Sequence, residues 1–316
     1  MINNFLLIGF GNIGKRHFES IYSNFNKINI YIIDPYISSF KKKKLNKKNI
    51  KIHTSKIIDF KNIHFKLIII STNAKERNSL SHIIVKDFLF DKLILEKIPF
   101  NQISSYKSFI TEIKNSKKCC YVNYPRNIID AYKKIKKNII RSKPIILKVI
   151  GYNWGIASNS FHFLSLFGFF NNWESIIIEK FEMSEPFLTK RKGYYDFNGK
   201  IHITTKNKHK LIIEDNKIYK NINYISIENN NKIFFINEKD NQLFEMKLDN
   251  KLQINEFNFD VPFQSNLTFK YIKNKNKSYL QKNDILLNYT NEIKLLQKFS
   301  SIFSESKKYN HSCPIT

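Results

Sequence analysis

The chain of 316 residues carries a formal net charge of +27, and 42% of its residues are hydrophobic. This length allows two domains of ordinary size, each with its own core. No apolar run approaches the roughly 20 residues that a membrane-spanning helix needs, so we expect no membrane insertion. The N-terminus enters an apolar segment without a basic start or a cleavage-site pattern, so no signal peptide is expected.

The excess of basic residues is the feature that could indicate a nucleic-acid-binding protein. Only five of the 53 basic residues are arginine, whereas bidentate contacts with phosphates and bases favour arginine. The lysines are spread among many Asn, Ile, Phe and Tyr residues, whose codons are rich in A and T, so gene composition explains them more simply. The run Lys41–Lys44 is interpreted as a solvated face or loop. We therefore expect no nucleic-acid partner, although a basic surface can attract an anionic small substrate.

The three cysteines, Cys119, Cys120 and Cys313, form neither a disulfide framework nor the C-x-x-C spacing of a metal site. The sequence also lacks a metal-ligand cluster, a nucleophile elbow and a P-loop spacing. We expect a protein of a reducing compartment, the cytoplasm, without a bound metal.

The first predicted element is the apolar run Phe5–Ile8, which is typical of a buried parallel strand. The spacing G-x-G-x-x-G follows at once. In this spacing Gly9 permits a tight turn, and Gly11 lets the backbone approach a pyrophosphate. Gly14 allows a helix and a strand to pack closely. The run therefore predicts a dinucleotide-binding loop.

The segment from Asn12 to Phe25 has apolar residues at helical spacing. It predicts a helix whose first N–H groups, including those of Asn12 and Ile13, face the phosphates. A second apolar strand, Asn29–Ile33, completes a β-α-β unit. Asp34 then stands where a carboxylate accepts hydrogen bonds from the adenosine ribose, although Asp before Pro is also a common turn residue. An acid there repels a 2′-phosphate, so NAD is favoured, and the lysines nearby leave NADP open.

Strands and helices continue to alternate up to residue 123. The predicted strands are Ile50–His53, Lys66–Ile70, Lys92–Leu95 and Cys119–Asn123, and the predicted helices are Glu76–Phe88 and Ser105–Ser116. This alternation predicts an α/β Rossmann domain over residues 1–123, with a doubly wound parallel sheet. Ser71, Thr72 and Asn73 follow one of its strands, and Glu96 and Lys97 follow another. They stand at the carboxyl ends of strands, where such sheets bind ligands, and we expect them to contact the cofactor.

The pattern changes after residue 123 and predicts an α+β domain over residues 124–316. Its predicted helices are Asn127–Ile140, Ser160–Phe170 and Ile285–Phe303, and its predicted strands are Pro144–Ile150, Ile201–Thr205, Lys210–Ile213, Tyr224–Glu228, Lys232–Ile236 and Leu243–Lys247. Short alternating segments bounded by Asn, Lys, Asp and Gly indicate a largely antiparallel open sheet with one covered face.

The glycine loop, Asp34, Ser71–Asn73, the element Glu96-Lys97-Ile98-Pro99 and the C-terminal meander occur in an order that resembles the Gfo/Idh/MocA family of oxidoreductases. The resemblance covers most of the chain. It implies an NAD(P)-dependent oxidoreductase that acts on a sugar or sugar nucleotide and forms a homodimer or homotetramer. Together with the composition, it suggests a role in surface-glycan precursor biosynthesis.

The resemblance also implies two catalytic residues. The lysine of the family's Glu-Lys-Pro element lies beside the nicotinamide and the substrate, and Lys97 matches it, with Ile98 where the family has proline. Lys97 could hold a substrate hydroxyl and share its proton during hydride transfer. The family's second element is a helix with an acid and a histidine one turn apart. His162 matches this histidine, but Ser158 and Ser165 stand where acids are expected, and a neutral partner does not raise imidazole basicity.

Arg126, Tyr152 and Asn159, together with His162, are the predicted substrate contacts. Arg126 could bind a phosphate or carboxylate bidentately, or lie on the surface at a helix start. His162 could instead be a satisfied core residue, and Lys97 an incidental lysine. The alternative function is therefore a non-catalytic dinucleotide-binding or sensor protein on the same scaffold.

Overall fold

The computed structural model describes residues 3–37, 50–54, 57–116, 118–218, 220, 223–249, 252–273, 282–304 and 313–315. The lysine run at 41–44 lies outside these residues. The chain forms two compact units. The first contains Met1–Phe100, Ser104–Pro125 and Pro262–Lys282, and the second contains Asn101–Ile103, Arg126–Val261 and Asn283–Thr316.

The first unit is built on a six-stranded sheet. Its elements in chain order are β1 (Asn3–Ile8), α1 (Asn12–Asn24), β2 (Ile28–Ile33), β3 (Ile50–Thr54), β4 (His64–Phe65), β5 (Leu67–Ile70), α2 (Ala74–Asp87), β6 (Leu89–Phe90), β7 (Lys92–Leu95), α3 (Ile103–Lys114) and β8 (Cys119–Val122). The strand order is β3-β2-β1-β5-β7-β8, and every pair is parallel. Strands β4 and β6 form a separate parallel pair. The predicted doubly wound parallel sheet is confirmed.

The central strands of this sheet are buried over most of their length, as is typical of a parallel sheet with both faces covered. All four residues of β5 are buried, as are the last four of β1. Helix α1 buries one stripe that includes His17, Phe18 and Ile21. The strand order reverses between β1 and β5, which is the point where open α/β sheets bind ligands at the carboxyl ends of their strands.

The second unit contains an eight-stranded sheet. Its elements are α4 (Asp130–Asn138), β9 (Ile145–Tyr152), α5 (Ile156–Asn171), β10 (Ile176–Met183), β11 (Phe187–Leu188), β12 (Tyr195–Asp196), β13 (Gly199–Thr205), β14 (Lys210–Asn216), β15 (Tyr224–Asn229), β16 (Lys232–Asn237), β17 (Gln242–Leu248) and β18 (Leu252–Asn258). The order is β10-β13-β14-β9-β15-β16-β17-β18. Only the β14–β9 pair within this order is parallel, so the predicted largely antiparallel sheet is confirmed.

One face of this sheet is covered and the other is open. Along β9 the residues alternate between buried and half-buried, and the buried positions face a core to which the strongly apolar helix α5 contributes. Helix α5 begins four residues earlier than predicted. The backbone at its start is held by Asp215, which accepts from the N–H of Gly155, and by Asp196, which accepts from the N–H of Ala157. The edge strands β10 and β18 were not among the predicted strands. Every residue of β18 is exposed, including Leu252 and Ile254.

The last part of the chain divides between the units. Helix α6 (Thr268–Lys273) belongs to the first unit and nearly all of α7 (Lys282–Ser304) to the second. The segment Pro262–Lys282 therefore departs from the predicted C-terminal domain, because its polar groups bind α1: the N–H of Phe269 donates to Ser20 Oγ at 3.1 Å. The domain boundary after residue 123 otherwise stays a prediction. None of the described helices has both the length and the apolar character required to cross a membrane.

Candidate functional site

The glycine loop of the first unit is held between the ends of two strands. The N–H of Gly9 donates to the carbonyl of Ile33 at 2.9 Å, and Ser71 Oγ donates to the carbonyl of Gly9 at 2.7 Å. Gly9 has φ +89°, and a Cβ there would lie 2.9 Å from the backbone of Ser71 and Thr72. Only glycine fits this position. Ser71 thus supports the loop directly.

The other two glycines of the loop have opposite surroundings. A Cβ on Gly14 would lie 2.2 Å from the carbonyl oxygen of Gly9, so α1 packs directly on the loop. A Cβ on Gly11 would have no described atom within 4 Å, and this residue is exposed. Helix α1 begins at Asn12 without a side-chain cap among the described residues and without an acid in its first turn. The first N–H groups of the helix, beside Asn12 and Ile13, therefore have no side-chain cap among the described residues. Their contact with a pyrophosphate stays a prediction.

Asp34 lies against this loop. Its Oδ2 accepts a hydrogen bond from the N–H of Phe10 at 2.6 Å, and its Oδ1 accepts one from the N–H of Tyr36 at 2.8 Å. Asp34 therefore does stabilise a turn, through its bond to the N–H of Tyr36. Each carboxylate oxygen keeps a second lone pair, and the side chain is half-buried, so the carboxylate can also accept a hydrogen bond from a ribose.

Asn73 and Thr72 have structural partners in addition to their predicted role. Asn73 Oδ1 accepts a hydrogen bond from the N–H of Glu76 at 3.0 Å and so caps α2. The carbonyl of Thr72 accepts a hydrogen bond from the guanidinium of Arg77. A cofactor role for these two residues stays a prediction.

Arg77 is an important residue that the sequence interpretation missed. It is 2% exposed, and its Nη1 donates to the carbonyl of Glu96 at 2.5 Å and to the carbonyl of Ile98. With its bond to the Thr72 carbonyl, it joins the segments that follow β5 and β7. The half-buried Lys97 lies between the two carbonyls held by Nη1, and the Lys97–Ile98 peptide bond is cis. The available signal was the rarity of arginine in this chain.

Glu96 belongs to a buried polar network. Its Oε1 lies 2.8 Å from His17 Nε2 and accepts a hydrogen bond from Asn123 Nδ2 at 2.6 Å. The second ring nitrogen of His17 lies 2.8 Å from Thr268 Oγ1. Burial would raise the pKa of Glu96, but the hydrogen bond and charge of His17, with Arg77 nearby, hold it below its ordinary value.

This network includes the returning segment of the chain. Asn123 Nδ2 also donates to Gln264 Oε1 at 2.9 Å, and Gln264 Nε2 donates to Thr268 Oγ1 at 3.0 Å. The carboxylate of Glu96 is thus engaged inside the unit. The predicted contact of Glu96 with the cofactor stays a prediction. Glu96 itself is buried, whereas the next residue, Lys97, is half-buried.

In the second unit the carboxylate of Asp196 binds the backbone at the start of helix α5. Asp196 accepts hydrogen bonds from the N–H of Ala157 at 2.8 Å, from the N–H of Ser158 at 3.3 Å and from Ser158 Oγ at 2.5 Å. A Cβ on Gly155 would lie 2.4 Å from Asp196 Oδ2. Burial raises the pKa of Asp196, and the hydrogen bond from Ser158 offsets part of that increase. Asp196 therefore brings a carboxylate to Ser158, where the resemblance places an acid.

A second carboxylate binds the loop before α5. Asp215 accepts hydrogen bonds from the N–H of Gly155 at 2.9 Å and from the N–H of Trp154 at 3.2 Å. Burial raises the pKa of Asp215 to about 6, against the lowering effect of these N–H groups, and the charge of Asp196 adds to the increase. Neither acid has a local sequence signal, because each lies 38 or more residues from the backbone it binds.

The predicted residues on α5 are close in sequence but differ in environment. His162 is half-buried and follows Ser158 by one helical turn. Asn159 Nδ2 donates to the carbonyls of Trp154 at 2.6 Å and Gly155 at 3.1 Å. Ser165 is fully buried and accepts a hydrogen bond from Asn127 at 2.9 Å. Ser165 therefore packs inside the second unit, with its hydroxyl bound to Asn127.

Arg126 lies in an ion pair, which decides against a surface position. Its Nε donates to Glu238 Oε1 at 2.8 Å, its Nη2 donates to Oε2 at 2.5 Å, and Tyr132 donates to Oε1 at 2.6 Å. Burial would raise the pKa of Glu238, but the charge of Arg126 holds it below its ordinary value. Burial would likewise lower the pKa of Arg126, but the charge of Glu238 raises it.

A cavity of about 230 Å³ lies beside this ion pair, within the second unit. The residues that line it include Arg126, Trp154, Asn159, Phe163, Tyr224 and Glu238. The cavity brings together two of the predicted substrate contacts, Arg126 and Asn159. Tyr152 and His162 are not among the described residues that line it. Among the described residues, no group of His, Cys, Asp or Glu is placed to hold a metal ion.

Neither a protein-family model nor a curated protein matches the sequence. Solved structures do share the fold. A dehydrogenase from Clostridium difficile is 15% identical, with a TM-score of 0.69 over 96% of this chain and 99% of its own. UDP-N-acetylglucosamine 3-dehydrogenase from Acidithiobacillus ferrooxidans is 9% identical, with a TM-score of 0.70 over 94% and 98%. Biliverdin reductase from Synechocystis, solved with biliverdin and NADP+, is 9% identical, with a TM-score of 0.67 over 93% and 98%. The chain is similar in fold to all three.

Proposed function

We propose that the protein is an NAD(P)-dependent oxidoreductase. The observation that carries the proposal is the contrast within the glycine loop, where Gly9 and Gly14 are closed in by backbone while Gly11 and the start of α1 are open. A loop that only turned the chain would not need an open glycine at a helix start without a cap. The dehydrogenase and reductase neighbours support the proposal at the level of the fold.

The proposed cofactor is NAD, with NADP open. Asp34 offers a carboxylate beside the loop, which suits ribose hydroxyls and repels a 2′-phosphate. Against this, the solved biliverdin reductase contains NADP+. The nicotinamide would supply or accept the hydride, and the protein would orient the substrate and handle its proton.

The proposed proton-handling residues are Lys97 and His162. Arg77 holds the carbonyls on both sides of Lys97, which fixes the backbone from which its amine extends. A lysine there can hold a substrate hydroxyl and share its proton. His162 lies one helical turn after Ser158, whose hydroxyl donates to Asp196 on strand β12. A carboxylate from another strand therefore lies at the start of this helix. Tyr152 and Asn159 remain proposed substrate contacts.

The proposed substrate is a sugar or sugar nucleotide, and one neighbour of the fold is a UDP-sugar dehydrogenase. A role in surface-glycan precursor biosynthesis and a cytoplasmic location belong to the same proposal. Homodimers or homotetramers would form through the open sheet face, where half-buried Phe235 and Phe244 are paired across neighbouring strands.

The test is NADH and NADPH binding by calorimetry, followed by an absorbance assay with sugars and nucleotide sugars. We expect binding of at least one cofactor and turnover that Lys97→Ala reduces about a hundredfold, as expected for loss of a general acid or base. Lys107→Ala, on an exposed face of α3, is the matched control. Full activity of Lys97→Ala would remove its catalytic role. Binding without turnover on any sugar would instead support the sensor alternative.

A further inference from the structure

The Arg126–Glu238 pair forms one wall of the cavity in the second unit. The carboxylate uses both oxygens to bind Nε and Nη2 of the guanidinium. Phe163 lies against the guanidinium, with its ring centroid 4.4 Å from the central carbon. Only 19% of the Arg126 side chain and 21% of the Glu238 side chain are exposed, so water screens the pair poorly.

This pairing changes what the wall can bind. A free arginine would present two parallel N–H groups to a carboxylate or phosphate of the ligand. Here Glu238 already occupies that edge of the guanidinium. A second carboxylate would also meet the negative charge of Glu238 at close range, which costs free energy in a poorly screened site.

Uncharged hydroxyl groups suit the same wall. The nitrogen that Glu238 does not use, Nη1, offers N–H donors. Oε1 of Glu238 accepts from both Arg126 and Tyr132, whereas Oε2 accepts from Nη2 and keeps one lone pair. Each hydroxyl can accept from a guanidinium and donate to a carboxylate. The aromatic rings of Trp154 and Tyr224 among the lining residues offer apolar surface to the carbon face of a sugar ring.

We propose that Glu238 is a specificity-determining residue, which together with Arg126 makes this cavity select an uncharged, polyhydroxylated ring and reject its carboxylated analogue. This inference rests on the proposed function because it assigns the cavity to the substrate. It reverses the expectation that Arg126 itself binds an anionic group. Lys239 also lines the cavity but is exposed, so solvent screens its attraction for anions.

The test uses two probes that differ only at C6, D-glucose and D-glucuronate, in NMR titrations of the full chain. We expect the native protein to bind glucose about tenfold more tightly than glucuronate. Glu238→Gln should release the guanidinium and shift the ratio of the two affinities toward glucuronate by about tenfold or more. Lys134→Ala, at an exposed position on α4, leaves the wall of the cavity intact and should leave the preference unchanged.

Because Glu238→Gln leaves a poorly exposed arginine without its partner, the double variant Arg126→Gln/Glu238→Gln provides a second measurement. It has no charge in the wall and should bind both probes with similar affinity. An equal or greater native affinity for glucuronate, an unchanged ratio in both variants, or the absence of glucose binding would overturn the proposal. NADH affinity is measured on the same samples, so failure of the proposed cofactor function is recognised separately.

Discussion

Nε2 of His17 lies 2.8 Å from Oε1 of Glu96, and both residues are buried. They come from α1 and from the end of β7, 79 residues apart. The pair connects the helix of the glycine loop with the segment that presents Lys97.

Replacing His17 by Ala should lower the free energy of unfolding by about 3 kcal/mol, because the buried carboxylate of Glu96 loses a principal partner. The pKa of Glu96 is lowered in the fold. Its ionisation therefore stabilises the native protein above the unfolded pKa, and this contribution is lost as the pH falls through the folded pKa. Urea unfolding at neutral and acidic pH should show the native–variant difference shrinking in acid.

Glu19→Ala is the control. It breaks an exposed pair with Arg16 and should lower the free energy of unfolding by under about 0.5 kcal/mol. Equal effects of the two variants would refute the role of the pair.

The two glycine variants Gly14→Ala and Gly11→Ala should separate folding from binding. A methyl group on Gly14 would strike the backbone oxygen of Gly9 at 2.2 Å, whereas one on Gly11 meets no described atom within 4 Å. We expect Gly14→Ala to lower the melting temperature by several degrees, at about 2–4 °C per kcal/mol. Gly11→Ala should melt like the native protein but bind NADH about tenfold more weakly, because the methyl group meets the pyrophosphate. Thermal denaturation and NADH fluorescence titration measure both effects. Unchanged NADH affinity in Gly11→Ala would contradict the cradle.

Placing an acid at position 158 should destabilise this protein. In Ser158→Asp the new carboxylate would replace a hydroxyl that donates to Asp196 at 2.5 Å. Two carboxylates in contact cannot both ionise without a cost, so the variant should be less stable by about 2 kcal/mol at neutral pH and less affected in acid. Ser158→Asn, which is similar in size and uncharged, is the control. A Ser158→Asp protein as stable as Ser158→Asn at neutral pH would show that Asp196 already carries a proton there.

The pH dependence of stability should contain a contribution from Asp215, whose pKa burial raises from 3.8 to about 6. Between these two values the native state holds a proton that the unfolded state has lost, so stability falls as the pH rises through this window. After allowance for solvent screening, the effect is about 1–2 kcal/mol. Chemical denaturation of native protein and Asp215→Asn across this window should give a flatter profile for the variant. Glu182→Gln, at an exposed position on β10, should leave the profile unchanged.

The sequence by itself determined the features whose cause is local. Short apolar runs produced the strands β1, β2, β5 and β7, and their alternation with helices determined the parallel sheet. The spacing of Gly9, Gly11 and Gly14 identified the loop. In the fold Gly9 and Gly14 are enclosed by backbone, whereas a Cβ on Gly11 would meet no described atom within 4 Å. Asp34 followed from the length of a β-α-β unit. The predictions of strands, helices and sheet type were confirmed because hydrophobic periodicity and turn chemistry act over a few residues. The cofactor contacts of the loop and of Asp34 stay predictions.

Tertiary structure alone decided the partners of the polar side chains. Glu238 lies 112 residues from Arg126, and Asp196 lies 38 residues from Ser158. The return of residues 262–282 to the first unit depends on polar groups such as Thr268 meeting His17. A buried polar group must find a partner, but its sequence neighbours do not determine which one. That choice is made when the packed sheets and helices bring distant strands together, where an unpaired charge would be too costly.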